Sequence, residues 1–202
     1  MQRLLKLDPP PYPSPSRGEG IAKGGTEMSL QTTRKWFWGP LSPLGLGVAA
    51  ATALIDQAHK AWMLYVYDIA ARGIVRIASF FDLVLVWNRG ISYGLLPQES
   101  TLGRLGLILF AFGASAGLAA WLARVDTKLT AISIGLIIGG AVGNAIDRIL
   151  YGAVADFFSF HAFGFQWYVF NIADAAIVAG VVGLLYDSLF GGHKKVGNPS
   201  KM

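Results

Sequence analysis

Asp147, Asp156 and Asp174 lie in or beside the two most hydrophobic stretches of the chain, in Gly143-Asn144-Ala145-Ile146-Asp147-Arg148, Val154-Ala155-Asp156-Phe157 and Phe170-Asn171-Ile172-Ala173-Asp174. A carboxylate near hydrocarbon costs at least ~2.5–3.5 kcal/mol even on mild insertion scales, so three of them need a compensating reason. Paired carboxylates have a specific use. Two of them about 3 Å apart cannot both ionise comfortably, so they share a proton, one activating water and the other donating to a carbonyl or leaving amine. The pair, rather than either residue, then titrates. Asp156 and Asp174 are the candidate pair, one in the loop beyond the third apolar run and the other at the mouth of the fourth.

The elements that must position them read as membrane spans. At 53% hydrophobic and 14% charged residues, with a mean hydropathy of +0.48, the chain has too little polar surface for a soluble domain of its size. Four segments approach the roughly 20 residues that a bilayer core requires: Leu41 to Tyr65, Leu102 to Ala123, Leu129 to Leu150 and Val169 to Phe190. Between the first two, Ile74 to Leu96 is rich in β-branched and aromatic residues, which predicts a small sheet on the membrane surface. Even spacing there places Asp82 and Asn88 on one face, with Phe81, Leu83, Leu85 and Trp87 on the other. The expected fold is an all-α membrane protein with four transmembrane helices and this small non-cytoplasmic sheet between helices 1 and 2.

Eleven Lys and Arg fall on the side of the two termini and six on the other, so the positive-inside rule predicts both termini in the cytoplasm. Anionic lipid headgroups then account for the basic balance without a nucleic-acid partner. Residues 1–35 read as a Pro-, Ser- and Gly-rich disordered arm with no signal-peptide h-region, and Met28 is an alternative start. Residues 36–190 form the membrane domain, and 191–202 a basic tail. The chain has no cysteine, which excludes disulfides, thiolate catalysis and Cys-type metal sites.

With that orientation Asp56, Gln57 and Lys60 of the first span, Asn144, Asp147 and Arg148 of the third, and Asn171 and Asp174 of the fourth converge at the outer boundary. Asp174 lies roughly 7 Å below the start of its span, at 1.5 Å per residue, within reach of water. Gly135, Gly139, Gly143 and Asp147 recur every fourth residue and form one stripe where a neighbouring helix can approach closely. Asp147 can serve that packing, paired to Arg148 or Lys60, or a site above it.

Asp56-Gln57-Ala58-His59-Lys60, Asn88-Arg89-Gly90-Ile91-Ser92-Tyr93-Gly94 and the three aspartate segments resemble, in order and in register, the motifs of lipoprotein signal peptidase, or signal peptidase II. The resemblance covers Leu41 to Phe190. It implies a bacterial inner-membrane aspartyl protease with four transmembrane helices and a periplasmic β-cradle, here at about 74–96. The implied substrate is a prolipoprotein whose cysteine already carries diacylglycerol, cut just before that cysteine. Membrane lipids and globomycin-type inhibitors are implied as further ligands, with no metal or cofactor. By motif match Asp156 and Asp174 become the catalytic dyad. Asp56, Lys60, Asn88, Gly90, Asn144, Asp147, Arg148 and Asn171 match residues that support the dyad or bind substrate. Tyr93 departs from a common Phe and Ala155 from a frequent Val.

Two other readings compete. A metal-dependent lipid-headgroup transferase would want a denser carboxylate cluster than Asp147 and Asp156 provide. A proton-coupled transporter would want carboxylates across the membrane rather than at one face. His59 and His161 lack metal-ligand spacing, Ser92 has no nucleophile elbow, and Asp187 lies at the far end of the fourth span.

Overall fold

The computed structural model describes residues 38–90 and 101–190. The N-terminal arm, the basic tail and the part of the predicted sheet from Ile91 to Leu96, Ser92 and Tyr93 included, lie outside the described residues.

Helix α1 (Ser42–Ala61) starts with Pro43 in its first turn, where the missing N–H costs nothing. It runs into a π-helical turn (Trp62–Val66), closed by Tyr67 N–H donating to the Trp62 carbonyl at 2.8 Å. A short helix α2 (Ile69–Arg72) follows, N-capped by Asp68 in the left-handed region (φ 51°). Three longer helices, α3 (Thr101–Leu122), α4 (Lys128–Leu150) and α5 (Ile172–Phe190), are long and apolar enough to cross a membrane. α1 is not among them, and it carries Asp56, Gln57, His59 and Lys60 in its last two turns.

α4 is the central helix, packed against α1, α3 and α5. Its glycine stripe works as the spacing predicts: a Cβ at Gly135 would land on the Gly45 carbonyl, one at Gly139 on the Ala49 carbonyl, and one at Gly143 2.6 Å from Asp56 Oδ2. The absent side chains therefore set how closely α1 lies, and they bring Asp56 beside the end of α4. Ala49, Leu122, Val125, Ala131, Ile134 and Ile138 make the buried core between the helices. Leu105, Leu109 and Phe110 of α3, and Val178, Val182, Leu185 and Leu189 of α5, stay exposed, as side chains facing lipid would.

The sheet is larger than expected and differently built. Its order is β1-β2-β3-β4, antiparallel throughout, with β1 (Val75–Ala78) and β2 (Phe81–Asn88) from the insertion, and β3 (Val154–Ala162) and β4 (Phe165–Gln166) from the segment between α4 and α5. Asp156 is thus a strand residue opposite Val86, not a loop residue. Phe163 (φ 53°) and Gly164 (φ 78°) form the two-residue turn from β3 to β4, since two successive positive φ values match the strand twist.

The predicted alternation also fails, because β2 takes three steps from Leu83 to Val86 while β3 takes two from Phe158 to Asp156. That bulge breaks the even spacing between Asp82 and Asn88. Asp82 instead accepts from His161 Nε2 at 3.0 Å and lies 3.6 Å from Arg76 Nε, so His161 has a carboxylate partner that its sequence neighbourhood did not disclose. Under the sheet, Met63 of the π-helical turn, Ile69, Ala155 and Phe157 form a second buried cluster. This cluster fixes β3 against the end of α1.

Candidate active site

Five elements end at one place. α1 contributes Asp56, Gln57 and Lys60; α4 contributes Asn144, Asp147 and Arg148, on one face by their three- and four-residue spacing; β2 ends in Asn88, with Gly90 just beyond it; β3 brings Asp156; and α5 is entered through Asn171 and carries Asp174 in its first turn. All ten residues named for the site in the sequence fall here.

Lys60 organises the buried side. Its Nζ lies 2.8 Å from Asp56 Oδ2 and 2.8 Å from Asp147 Oδ2, and donates to Asn144 Oδ1 at 3.2 Å. Asp56, Lys60 and Asp147 are all at most 2% exposed. Of the two partners the sequence left open for Asp147, the structure selects Lys60. Both carboxylates also hold backbone in place: Asp56 Oδ1 accepts from Ala173 N–H of α5 at 3.0 Å, and Asp147 Oδ2, the oxygen that also faces Lys60, accepts from Ala155 N–H of β3 at 3.1 Å. Each of these bonds fixes the neighbour of a candidate dyad residue, Asp174 in one case and Asp156 in the other.

Asp156 is buried and Asp174 half-buried. Asp156 Oδ1 accepts from Asn171 Nδ2 at 2.6 Å, and Oδ2 from Asn88 Nδ2 at 3.2 Å. Asp174 Oδ1 accepts from Asn144 Nδ2 at 2.8 Å, and Oδ2 from Tyr168 Oη at 3.1 Å and Asn171 N–H at 3.3 Å. Asn171 Oδ1 accepts Asp174 N–H at 3.0 Å in return, so the two residues form a reciprocal cap on the first turn of α5. That cap holds Asp174 at the helix entrance, and the Asn171 amide spans to Asp156. Burial, and then the charge of Asp174, push the Asp156 carboxyl up to about 7, against the opposing pull of its two amide donors and Lys60. A carboxyl that high can carry a proton at neutral pH.

Arg148 does not pair with Asp147. Its Nη1 donates to the Asn144 carbonyl at 3.1 Å and its Nη2 to the Gly90 carbonyl at 3.0 Å, while Asn88 Oδ1 accepts Gly90 N–H at 3.0 Å. Gly90 therefore enters the site through its backbone. Gln57 joins the site as its place beside Asp56 and Lys60 predicts, although it was not among the ten. Gln57 Nε2 donates to Asp147 Oδ1 at 2.8 Å and to the Gly143 carbonyl at 3.1 Å. Tyr168, which donates to Asp174 Oδ2, was not singled out from the sequence; its position six residues before Asp174, just ahead of an apolar run, was the available signal. Asp187 lies with Thr127 and Thr130 at the opposite ends of α4 and α5, as expected. Among the described residues no three His, Asp or Glu side chains come together in a group able to hold a metal ion.

The chain matches the family model of signal peptidase (SPase) II over residues 48–190. It is 54% identical over 154 residues to the lipoprotein signal peptidase of Nitrobacter hamburgensis, covering 73% of this chain and 94% of that protein. To the lipoprotein signal peptidase of Rhodopseudomonas palustris it is 52% identical over 157 residues, 75% of this chain and 96% of that one. Two solved structures described as a bacterial membrane enzyme share its fold, with TM-scores of 0.66 and 0.61 at 23% and 24% identity, covering 77% and 73% of this chain and 94% of each of theirs. Matched over residues 48–190, which hold every residue that meets at Asp156 and Asp174, the chain belongs to the signal peptidase II family.

Proposed function

We propose that Asp156 and Asp174 are the catalytic dyad of an aspartic endopeptidase that removes the signal peptide from diacylglyceryl-modified prolipoproteins, cleaving on the amino side of the lipidated cysteine. The observation that carries this reading is the pair of carboxylates on separate elements, β3 and α5, tied through the Asn171 and Asn144 amides, one buried and the other half-open. Asp156, raised to about 7, holds the proton, and Asp174 takes one from water. The water oxygen attacks the scissile carbonyl carbon while Asp156 protonates the carbonyl oxygen. Collapse of the tetrahedral intermediate breaks the C–N bond as the proton held by Asp174 passes to the leaving amine of the cysteine and a hydroxyl of the diol returns its proton to Asp156, which restores the dyad.

A substrate anchored by acyl chains explains a site at the ends of apolar helices: the chains stay in the bilayer while the scissile bond meets water. In this reading α1 is the fourth span, both termini are cytoplasmic, and the sheet and site face the periplasm at the bacterial inner membrane. The charge asymmetry and the gathering of five polar element ends at one pole support it. Globomycin-type inhibitors would compete at the same site.

The test uses isolated membranes carrying the full chain and a prolipoprotein with or without diacylglycerol on its cysteine. Cleavage of the lipidated form alone, undiminished by a metal chelator, is expected. Equal cleavage of both forms, or loss of activity on chelation that a divalent ion restores, would defeat the proposal.

A further inference from the structure

We propose that Lys60 is a positioning residue that acts through the Asn144 side chain, turning one amide N–H onto Asp174 and, by way of Asn171, a second onto Asp156. This rests on the dyad reading above and adds to it a cause for the geometry. An ammonium can only donate, and Lys60 has three protons for three acceptors: Asp56 Oδ2, Asp147 Oδ2 and Asn144 Oδ1. The oxygen of Asn144 is therefore committed to the Lys60 side, and its Nδ2 must face Asp174, where it lies 2.8 Å from Oδ1.

Asn171 obeys the same polarity. Its Nδ2 reaches both Asn144 Oδ1 (3.2 Å) and Asp156 Oδ1 (2.6 Å), which leaves its own oxygen to take the Asp174 N–H. Turning Asn144 over would set its N–H groups against the Lys60 and Asn171 donors and its oxygen against the Asp174 carboxylate. The two amides thus transmit a fixed direction from a buried cation, one layer beneath the dyad, to both carboxylates. Lys60 and Asn144 are buried under these partners and need not meet substrate to matter.

A purely structural Lys60 would only balance the charges of Asp56 and Asp147, and two variants separate the roles. Asn144→Asp keeps an oxygen for Lys60 but offers Asp174 an oxygen in place of an N–H. The charged and titratable groups around it are Asp56 and Lys60 of α1, Asp147 and Arg148 of its own helix, Asp156 of β3, and Asp174 with Tyr168 at the start of α5. At pH 8 its kcat should fall by about tenfold or more, the loss of a charge-assisted hydrogen bond, at little-changed KM. The ratio to wild type should recover as pH is lowered toward 5.5, because a protonated side chain can again donate to Asp174.

The second variant, Asp56→Asn with Lys60→Met and Asp147→Asn, removes the charges together, so nothing is left unbalanced. It should fold, yet turn over about tenfold slower or worse. A folded triple variant with the wild-type rate, or an Asn144→Asp variant whose ratio to wild type is the same at every pH, would overturn the inference; should the triple variant not fold, the pH profile decides alone. Asp156→Asn and Asp174→Asn, run alongside, keep the two claims apart: if they are inactive while the triple variant is fully active, the dyad stands and only the role of Lys60 falls.

Discussion

Lys60→Met leaves Asp56 and Asp147 facing the space of the ammonium that lay 2.8 Å from each. At an effective dielectric near 20, each contact at that distance is worth roughly 6 kcal/mol of Coulomb energy, most of which offsets the desolvation of the three buried groups. What a single substitution exposes is that desolvation, so breaking such a cluster costs about 3–5 kcal/mol. This is a large share of the ~5–15 kcal/mol that holds a typical folded protein together. For a chain of this length it corresponds to a fall in Tm on the order of 10 °C.

Removing the charges together should be nearly neutral, because a buried ionic cluster is worth little against a neutral replacement of similar volume. The Asp56→Asn, Lys60→Met, Asp147→Asn variant should therefore recover most of the loss, a large non-additive coupling. The six tryptophans allow both variants to be followed by intrinsic fluorescence during heating in detergent. A Lys60→Met protein within 2–3 °C of wild type, a shift of about 1 kcal/mol, would refute the reasoning. So would a triple variant no more stable than the single one.

Asp156 gives a pH-dependent companion. Its folded value, about 7, lies above the ordinary 3.8, so its contribution to stability is intact below about pH 4 and is lost as pH rises through 7, by at most about 4 kcal/mol. Asp156→Asn escapes that loss but sets an extra N–H against the Asn88 or Asn171 donors, costing about 1–3 kcal/mol. Its Tm should trail wild type at pH 5 and draw level or ahead at pH 8; a gap that is constant with pH contradicts the assignment. Packing makes a second contrast. Gly139→Ala would press a methyl onto the Ala49 carbonyl and Thr52, whereas Gly47→Ala meets nothing within 4 Å. The first should reduce the yield of folded protein sharply and the second leave it unchanged, measured as monodisperse protein after extraction. For topology, single cysteines at Ser79 and Phe163, both exposed at the sheet, should react with an impermeant maleimide once the outer barrier is opened, and one at Lys128 should not. The reverse pattern would put the site on the cytoplasmic face.

The helices were legible because an apolar run of about 20 residues has few other uses: α3 and α4 begin and end within a residue of the expected spans. α5 begins at Ile172 rather than Val169 because the Asn171 cap starts it there. The glycine stripe was legible for a similar reason, since its period is local. β3 was not read as a strand, although Val154 to Phe160 is an apolar, aromatic run between Gly152 and Gly164, because its partner β2 lies about 70 residues away. The bulge at Leu83 to Val86 is set by pairing with β3, so a strict alternation count along β2 could not anticipate it. The candidate site residues came from motifs in register. Their directions came from the fold: the two carboxylates that Lys60 bridges, which way Asn144 and Asn171 point, and the Tyr168 hydroxyl.

The central claim is the two-aspartate mechanism, and rates of prolipoprotein cleavage by purified Asp156→Asn and Asp174→Asn variants test it most directly. Each should remain folded and lose at least about 10²-fold in rate, as positioned acid–base groups do. The double variant should be no worse than either single one, because the pair acts as a unit, and Asp187→Asn, at the far ends of α4 and α5, should stay active. Either single variant retaining more than roughly a tenth of the wild-type rate, when that 10²-fold loss is due, would contradict the account.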